Sequence, residues 1–424
     1  MPNSEFAPAN QTISMAVILP FRPLRPNPLY ADQLVFTKPQ AESVSGDNTK
    51  EGGLKPLKTL LETGARQRPE TPEGQEMAYQ DIKDTLQSLL EKDKLNREKN
   101  LCIYIYEVVH KTYRQTGVWA LTALEDYRKG DIKIHELTFD DSVRRLKNYR
   151  ANTRLEGSPI LLTYPPNMII NRIIIETKAS RPKATLGNKH GLHRLWKIEE
   201  MEIQQKLIEA FSEVKTVYLA DGHHRIESAN KLALEQKENG GAVYDTISSL
   251  YMAADQLRIE EYDRVVIPKK PVEKTWLLKK LNKHFHISES AGNHPVQPNG
   301  QHDIGMCIDG KWYQLLAKPH TYENKNQADN LGAAILQEQV LTPVFNICDP
   351  KTDTRLRCAG GEKAMEEIDT IFLSHPDAIA FTVCPLTVDQ LIRAADAGHT
   401  LPPKSTWIVP KIPYGLIICQ LPSV

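Results

Sequence analysis

The chain carries no surplus of either charge. Its 424 residues hold 53 Lys and Arg against 53 Asp and Glu, for a formal net charge of 0 and an isoelectric point near 7.2. A protein whose main work is gripping a phosphate backbone would carry a basic excess, so this balance disfavours a dedicated nucleic-acid binder. No apolar run approaches the roughly 18 residues that a membrane span requires. Residues 1–11 offer no basic stretch ahead of the short apolar segment at 15–20, so no secretory leader is expected. The six cysteines include no CxxC pair, which excludes a zinc ribbon and a dithiol redox motif. These absences together predict a cytoplasmic chain with reduced thiols that pack as small hydrophobes. What is present is ordinary for a globular protein: 40% hydrophobic and 25% charged residues, in a chain long enough for two or three folding units at about 150 residues each.

Local patterns divide the chain without any internal repeat. A short strand at Ala16 to Leu19 runs into 20–28, where four prolines predict an extended loop presenting Arg22 and Arg25. Residues 41–76 read as a long surface loop with one short helix at 54–61. Apolar residues at helical spacing predict a helix from Met77 to Leu95. A strand at 101–109 is expected to meet its partner at 119–124 across a turn at Thr116-Gly117. The clearest local signal is Val214 to Ala220, a β-branched run, followed by Asp221-Gly222-His223-His224-Arg225 and then a helix from Ile226 to Lys237. Asp309-Gly310 predicts a type I′ hairpin between 304–308 and 311–317. Strands mixed with helices, without βαβ regularity, indicate α+β.

Four polar groups in five residues at a strand-to-helix corner suit an anion. Glycine permits close backbone approach, the first helical turn offers free N–H groups, and two imidazoles with a guanidinium add donors. The plainer alternative is that Asp221 caps the helix and the histidines satisfy carbonyls. His190 and His193 form an H-x-x-H, but no carboxylate shares a clear helix face with them, so they read as a polar loop and no metal site is assigned. His135-Glu136 offers an imidazole beside a carboxylate, able to take a proton from a hydroxyl. Lys404-Ser405-Thr406, framed by prolines, offers further phosphate donors or simply a turn.

ILPFRPLRPNP at 18–28, HELT at 135–138, ADGHHR at 220–225, YDRVV at 262–266 and PPKSTWIVPKIPYGLII at 402–418 resemble, in order, the bacterial and archaeal family called domain of unknown function 1015. The GHHR corner in turn looks like the ParB/sulfiredoxin superfamily, whose equivalent turn holds nucleotide phosphates. That resemblance implies an α+β fold with a ParB/sulfiredoxin-like mixed core over 1–270 and 321–424, and a small inserted α/β subdomain at 271–320. It implies a nucleotide, ATP or ADP, with Mg²⁺, held by Asp221, Gly222, His223, His224 and Arg225. Arg22, Arg25, Lys404, Ser405 and Thr406 are expected as further donors, and Glu136 and His224 as the catalytic pair.

Two departures from the family pattern stand out. Thr37 to Gln40 replaces an aspartate-bearing segment, and Phe139 replaces an arginine after HELT. His223 stands where a sulfiredoxin needs its cysteine, which excludes that chemistry. The expected activity is therefore a kinase-like phosphotransferase acting on a small anionic or phosphorylated metabolite, with serine or phosphoserine as the class. The alternative is a non-catalytic nucleotide or phosphometabolite sensor, and a third reading is a ParB-like module associated with nucleic acid.

Overall fold

A computed structural model describes residues 16–35, 55–62, 71–188, 191–241, 243–292, 294–323, 326, 328–350 and 352–422. Residues 37–40, His190 and most of the long loop expected at 41–76 lie outside these. The chain divides into two compact units. The first comprises 1–133, 139–256 and 412–424; the second comprises 134–138 and 257–411.

The first unit is built on a nine-stranded mixed sheet. Its strands are β1 (Ile18–Leu19), β2 (Ile103–Val109), β3 (Arg114–Ala123), β4 (Ile132–Lys133), β5 (Ile160–Tyr164), β6 (Ala184–Asn188), β7 (Gly191–Ile198), β8 (Val217–Asp221) and β9 (Thr246–Ala253). They run in the order β4-β8-β5-β9-β3-β2-β7-β6, with β1 beside β3. β8 is parallel to β4 and β9 is parallel to β5, while the other pairings are antiparallel. The central strands are buried nearly throughout, as their Ile, Tyr, Trp and Val content demands.

Gly117 is not in a turn but inside β3. A β-carbon there would lie 2.6 Å from the Tyr251 carbonyl oxygen, so glycine lets β9 pack closely. The β2–β3 hairpin closes instead at residues 110–113, where the His110 N–H donates to the Tyr113 carbonyl. His193 likewise sits in β7 rather than a polar loop. It is buried, its Nδ1 is 2.8 Å from the Tyr106 hydroxyl, and burial pushes its pKa down to about 4.

Leu24–Pro26, expected as loop, pairs with Leu95–Arg97 in a separate two-stranded ladder, with Pro26 at its end. That pairing also explains why the helix expected at 77–95 spans Pro72–Glu91. Thr71 caps it by accepting from the Gly74 N–H, and Pro72 occupies the first turn, where a missing N–H costs nothing.

The second unit is a six-stranded antiparallel sheet of β10 (Tyr262–Val266), β11 (Phe285–Glu289), β12 (Asp303–Ile308), β13 (Lys311–Ala317), β14 (Leu356–Gly360) and β15 (Ile379–Val383). Its order is β11-β13-β12-β15-β10-β14. The β12–β13 turn has positive φ at both Asp309 and Gly310, as a type I′ turn requires. The insert drawn from sequence at 271–320 supplies β11, β12 and β13. The unit is wider because β12 pairs with β15 and one core joins Val266, Phe285, Met306, Leu315 and Phe381. All six cysteines are free thiols.

Asp263 in β10 is buried, and its Oδ1 accepts the Val383 N–H at 3.0 Å. Burial raises its carboxyl pKa to about 7, against the opposing pull of that N–H and of Arg264. The folded state therefore favours the protonated acid. Its contribution to stability is full below about pH 4 and is lost as pH rises through 7. Asp263→Asn keeps the acceptor and removes the titration. Denaturant unfolding followed against pH should show the variant more stable than wild type at pH 8 by on the order of 2 kcal/mol, with no difference at pH 4.

Candidate functional site

β8 ends at Asp221, and the chain turns on Gly222 into the helix His223–Glu238, here α1. Gly222 has φ 104° and ψ 26°, a left-handed conformation that costs glycine little. A β-carbon at this position would lie 2.9 Å from both Arg225 Nε and Ile160 Cγ2. The Arg225 guanidinium is thus packed over the glycine. Its Nη1 donates to the Pro159 carbonyl at 2.6 Å, and its Nη2 pairs with Asp221 Oδ2 at 2.8 Å. The Gly222 carbonyl accepts the N–H groups of Arg225 and Ile226 and so starts the helix.

No side chain caps α1, and its first turn holds no acid. Asp221 does not cap the helix; its carboxylate goes to Arg225. The positive end of the helix macrodipole is instead bordered by two imidazoles and by the guanidinium of the Asp221–Arg225 pair, groups able to donate to an anion. His223 is buried and His224 is half-buried. Phe139 lies against His224, with ring centroids 4.9 Å apart and planes 27° from parallel.

The remaining residues singled out in the sequence are distributed as follows. Arg22 is exposed. Arg25 is buried and committed: its Nη2 lies 2.6 Å from Glu98 Oε1, and its guanidinium sits 5.9 Å from the centre of the Tyr104 ring. Burial alone would raise the Glu98 carboxyl, but hydrogen bonding from Lys197 and the charge of Arg25 hold it near 2. The arginine is therefore neutralised by its own network. Beside it is a small cavity of about 50 Å³, lined among others by Pro26, Asp32, Thr185 and Leu416 and by no residue of the 221–225 corner.

Glu136, Lys404, Ser405 and Thr406 belong to the second unit. Glu136 is half-buried and Lys404 is exposed. The buried Ser405 spends its hydroxyl on the Pro402 carbonyl at 2.6 Å, a bond that shapes the loop. Sequence reasoning missed the stacking role of Phe139. It also missed Arg264, whose guanidinium anchors the 402–404 loop. The one available signal for Phe139 was an aromatic residue at a position where the family pattern has a cation.

A family model described as "Protein of unknown function (DUF1015)" matches residues 18–338. This chain belongs to the DUF1015 family. No curated protein matches it. Similar solved structures include a free serine kinase in complex with AMP, at 10% identity and TM-score 0.37, covering 70% of this chain and 92% of that one. SbnI with a C-terminal truncation, from Staphylococcus aureus, is 14% identical at TM-score 0.38, with coverage of 70% and 87%. A conserved hypothetical protein from Pyrococcus furiosus is 10% identical at TM-score 0.34, with coverage of 70% and 95%. Likeness at this level assigns neither fold nor activity to the DUF1015 chain. Among its described residues, no helix is long and apolar enough to cross a membrane.

Gly222→Ala tests the build of the corner. The added methyl must displace Arg225 or Ile160, and the left-handed backbone penalises alanine further. Thermal or denaturant unfolding should register a loss of about 1–3 kcal/mol.

Proposed function

We propose that this DUF1015 protein binds a nucleotide through its phosphates at the Asp221–Arg225 corner and acts as a nucleotide-dependent phosphotransferase on a small hydroxyl-bearing metabolite, with serine or phosphoserine as the class. The observation that carries the binding step is the uncapped, acid-free start of α1 with His223, His224 and Arg225 around it. The missing β-carbon at Gly222 lets the Arg225 guanidinium pack over the turn at the helix start. The first-turn amides and the Arg225 guanidinium then supply donors aimed at oxyanions. Phe139 holds the His224 ring by stacking against it. Phosphoryl transfer depends mainly on positioning and charge neutralisation, and those are the services such a corner offers.

The ParB/sulfiredoxin-like character of the corner and a cytoplasmic location belong to the same reading. Magnesium would reach it through Asp221, a half-exposed carboxylate and the one acid among the five corner residues, once that carboxylate lets go of Arg225. An ion there would neutralise charge on the phosphates. The reading is confined to residues of the first unit.

A second reading, a sensor that binds without turnover, is favoured by a specific feature. The only carboxylate of the corner is paired with Arg225, so the five residues contain donors but no free carboxylate base. Isothermal titration with ATP, ADP and CTP, with and without Mg²⁺, tests binding. His224→Ala should weaken the preferred nucleotide about tenfold, the worth of one charge-assisted contact. Absence of binding to all three, or binding unchanged by His224→Ala, contradicts the proposal. Nucleotide that is bound but never consumed across a panel of amino acids and hydroxy acids decides for the sensor.

A further inference from the structure

The loop 402–406 of the second unit contains a residue in a conformation its chemistry does not favour. Lys404 has φ +63°, in the left-handed region where a β-carbon crowds the backbone. Glycine or asparagine would take that conformation at lower cost. The surroundings force it on lysine. Arg264 is buried, and its guanidinium donates to the carbonyls of Tyr262, Asp263, Pro403 and Lys404, the last at 2.9 Å. Ser405 ties the turn from the other side through the Pro402 carbonyl. The strand that follows is seated by Trp407, which lies where β-carbons on Gly360 and Gly361 would stand, at 2.4 and 2.5 Å from its ring atoms.

What lysine brings to this position, and glycine would not, is an exposed ammonium. Its Nζ is 5.9 Å from the centre of the Tyr262 ring, and Arg264 lies 5.4 Å from the same ring. Tyr262 packs edge-on against Trp407 at 5.2 Å, and Lys411 Nζ lies 4.8 Å from the Trp407 ring. Among the described residues none of Lys404, Arg264 and Lys411 makes an ion pair. Three cations are thus gathered around two aromatic rings, and although Asp263 feels the charge of Arg264, no ion pair ties up any of the three. Burial raises the pKa of the Tyr262 hydroxyl, while Lys404 acts to lower it through its charge and a hydrogen bond.

We propose that Lys404 and the Tyr262 hydroxyl form an oxyanion-binding site in the second unit, which takes a phosphate or carboxylate group of a small ligand. The buried guanidinium of Arg264 serves as the brace that holds the lysine in place. This site stands on second-unit residues alone and does not depend on the corner at Gly222.

Lysine footprinting reads it directly. The full chain is acetylated with limiting reagent in sodium chloride, sodium phosphate or sodium acetate at equal ionic strength, and modification is quantified by mass spectrometry, with exposed Lys269 as the reference. Phosphate or acetate should slow modification of Lys404 by about threefold or more while leaving Lys269 unchanged, and the more protective anion identifies the group. Tyr262→Phe should reduce the protection. Arg225→Met, which damages the corner, should leave it intact. Lys404→Gly should melt at the wild-type temperature or about 2 °C above it, because the backbone strain is gone. Equal labelling of Lys404 in all three salts, or a lower melting temperature for Lys404→Gly, overturns the proposal.

Discussion

The start of α1 is the constraint on which the reading of this protein depends. A helix must dispose of its first N–H groups, and most do so with a Ser, Thr, Asp or Asn cap or with acids in the first turn. Here the capping position is a left-handed glycine and the first turn is His-His-Arg. The acid that precedes it, Asp221, is drawn to Arg225. No side chain caps the positive helix end, and the turn's own ion pair, Asp221 with Arg225, lies beside it. The surrounding fold supports this geometry. β5 supplies Ile160 and the preceding residue Pro159 supplies the carbonyl that Arg225 needs, while Phe139 braces His224.

Several other charges of the chain are also met internally. Arg25 and Lys197 both meet Glu98 beside Tyr104, and Lys197 also meets Glu199. Glu107, buried in β2, is met by Lys178 and Arg194. Arg150 and Glu156 form a buried pair in the same unit. In each of these networks the buried carboxylate is met by at least one cation.

Much of this was legible in the residues themselves. The β-branched run, the glycine and the amphipathic helix that follow one another at 217–238 could be read because each obeys a local rule. The Asp309-Gly310 hairpin was legible for the same reason. What escaped the sequence depends on distant partners. Gly117 looks like a turn residue and proves to be a point of close strand approach, decided by the carbonyl of Tyr251. Arg25 looks like a ligand donor in a proline loop and is captured by Glu98, 73 positions away. The second unit extends beyond the subdomain expected at 271–320 because β12 finds β15 far along the chain. Arg264 stood in the YDRVV motif, but its role escaped because two of its four carbonyl partners, on Pro403 and Lys404, become neighbours only after folding.

The central claim is that the first turn of α1 is an anion cradle for nucleotide phosphates. A crystal structure of the chain grown with ADP and magnesium tests it most directly. The account predicts electron density for a phosphate within hydrogen-bond distance of a first-turn backbone N–H of α1 and of the Arg225 guanidinium, with Gly222 beneath it. ADP seated with its phosphates away from this turn would contradict it.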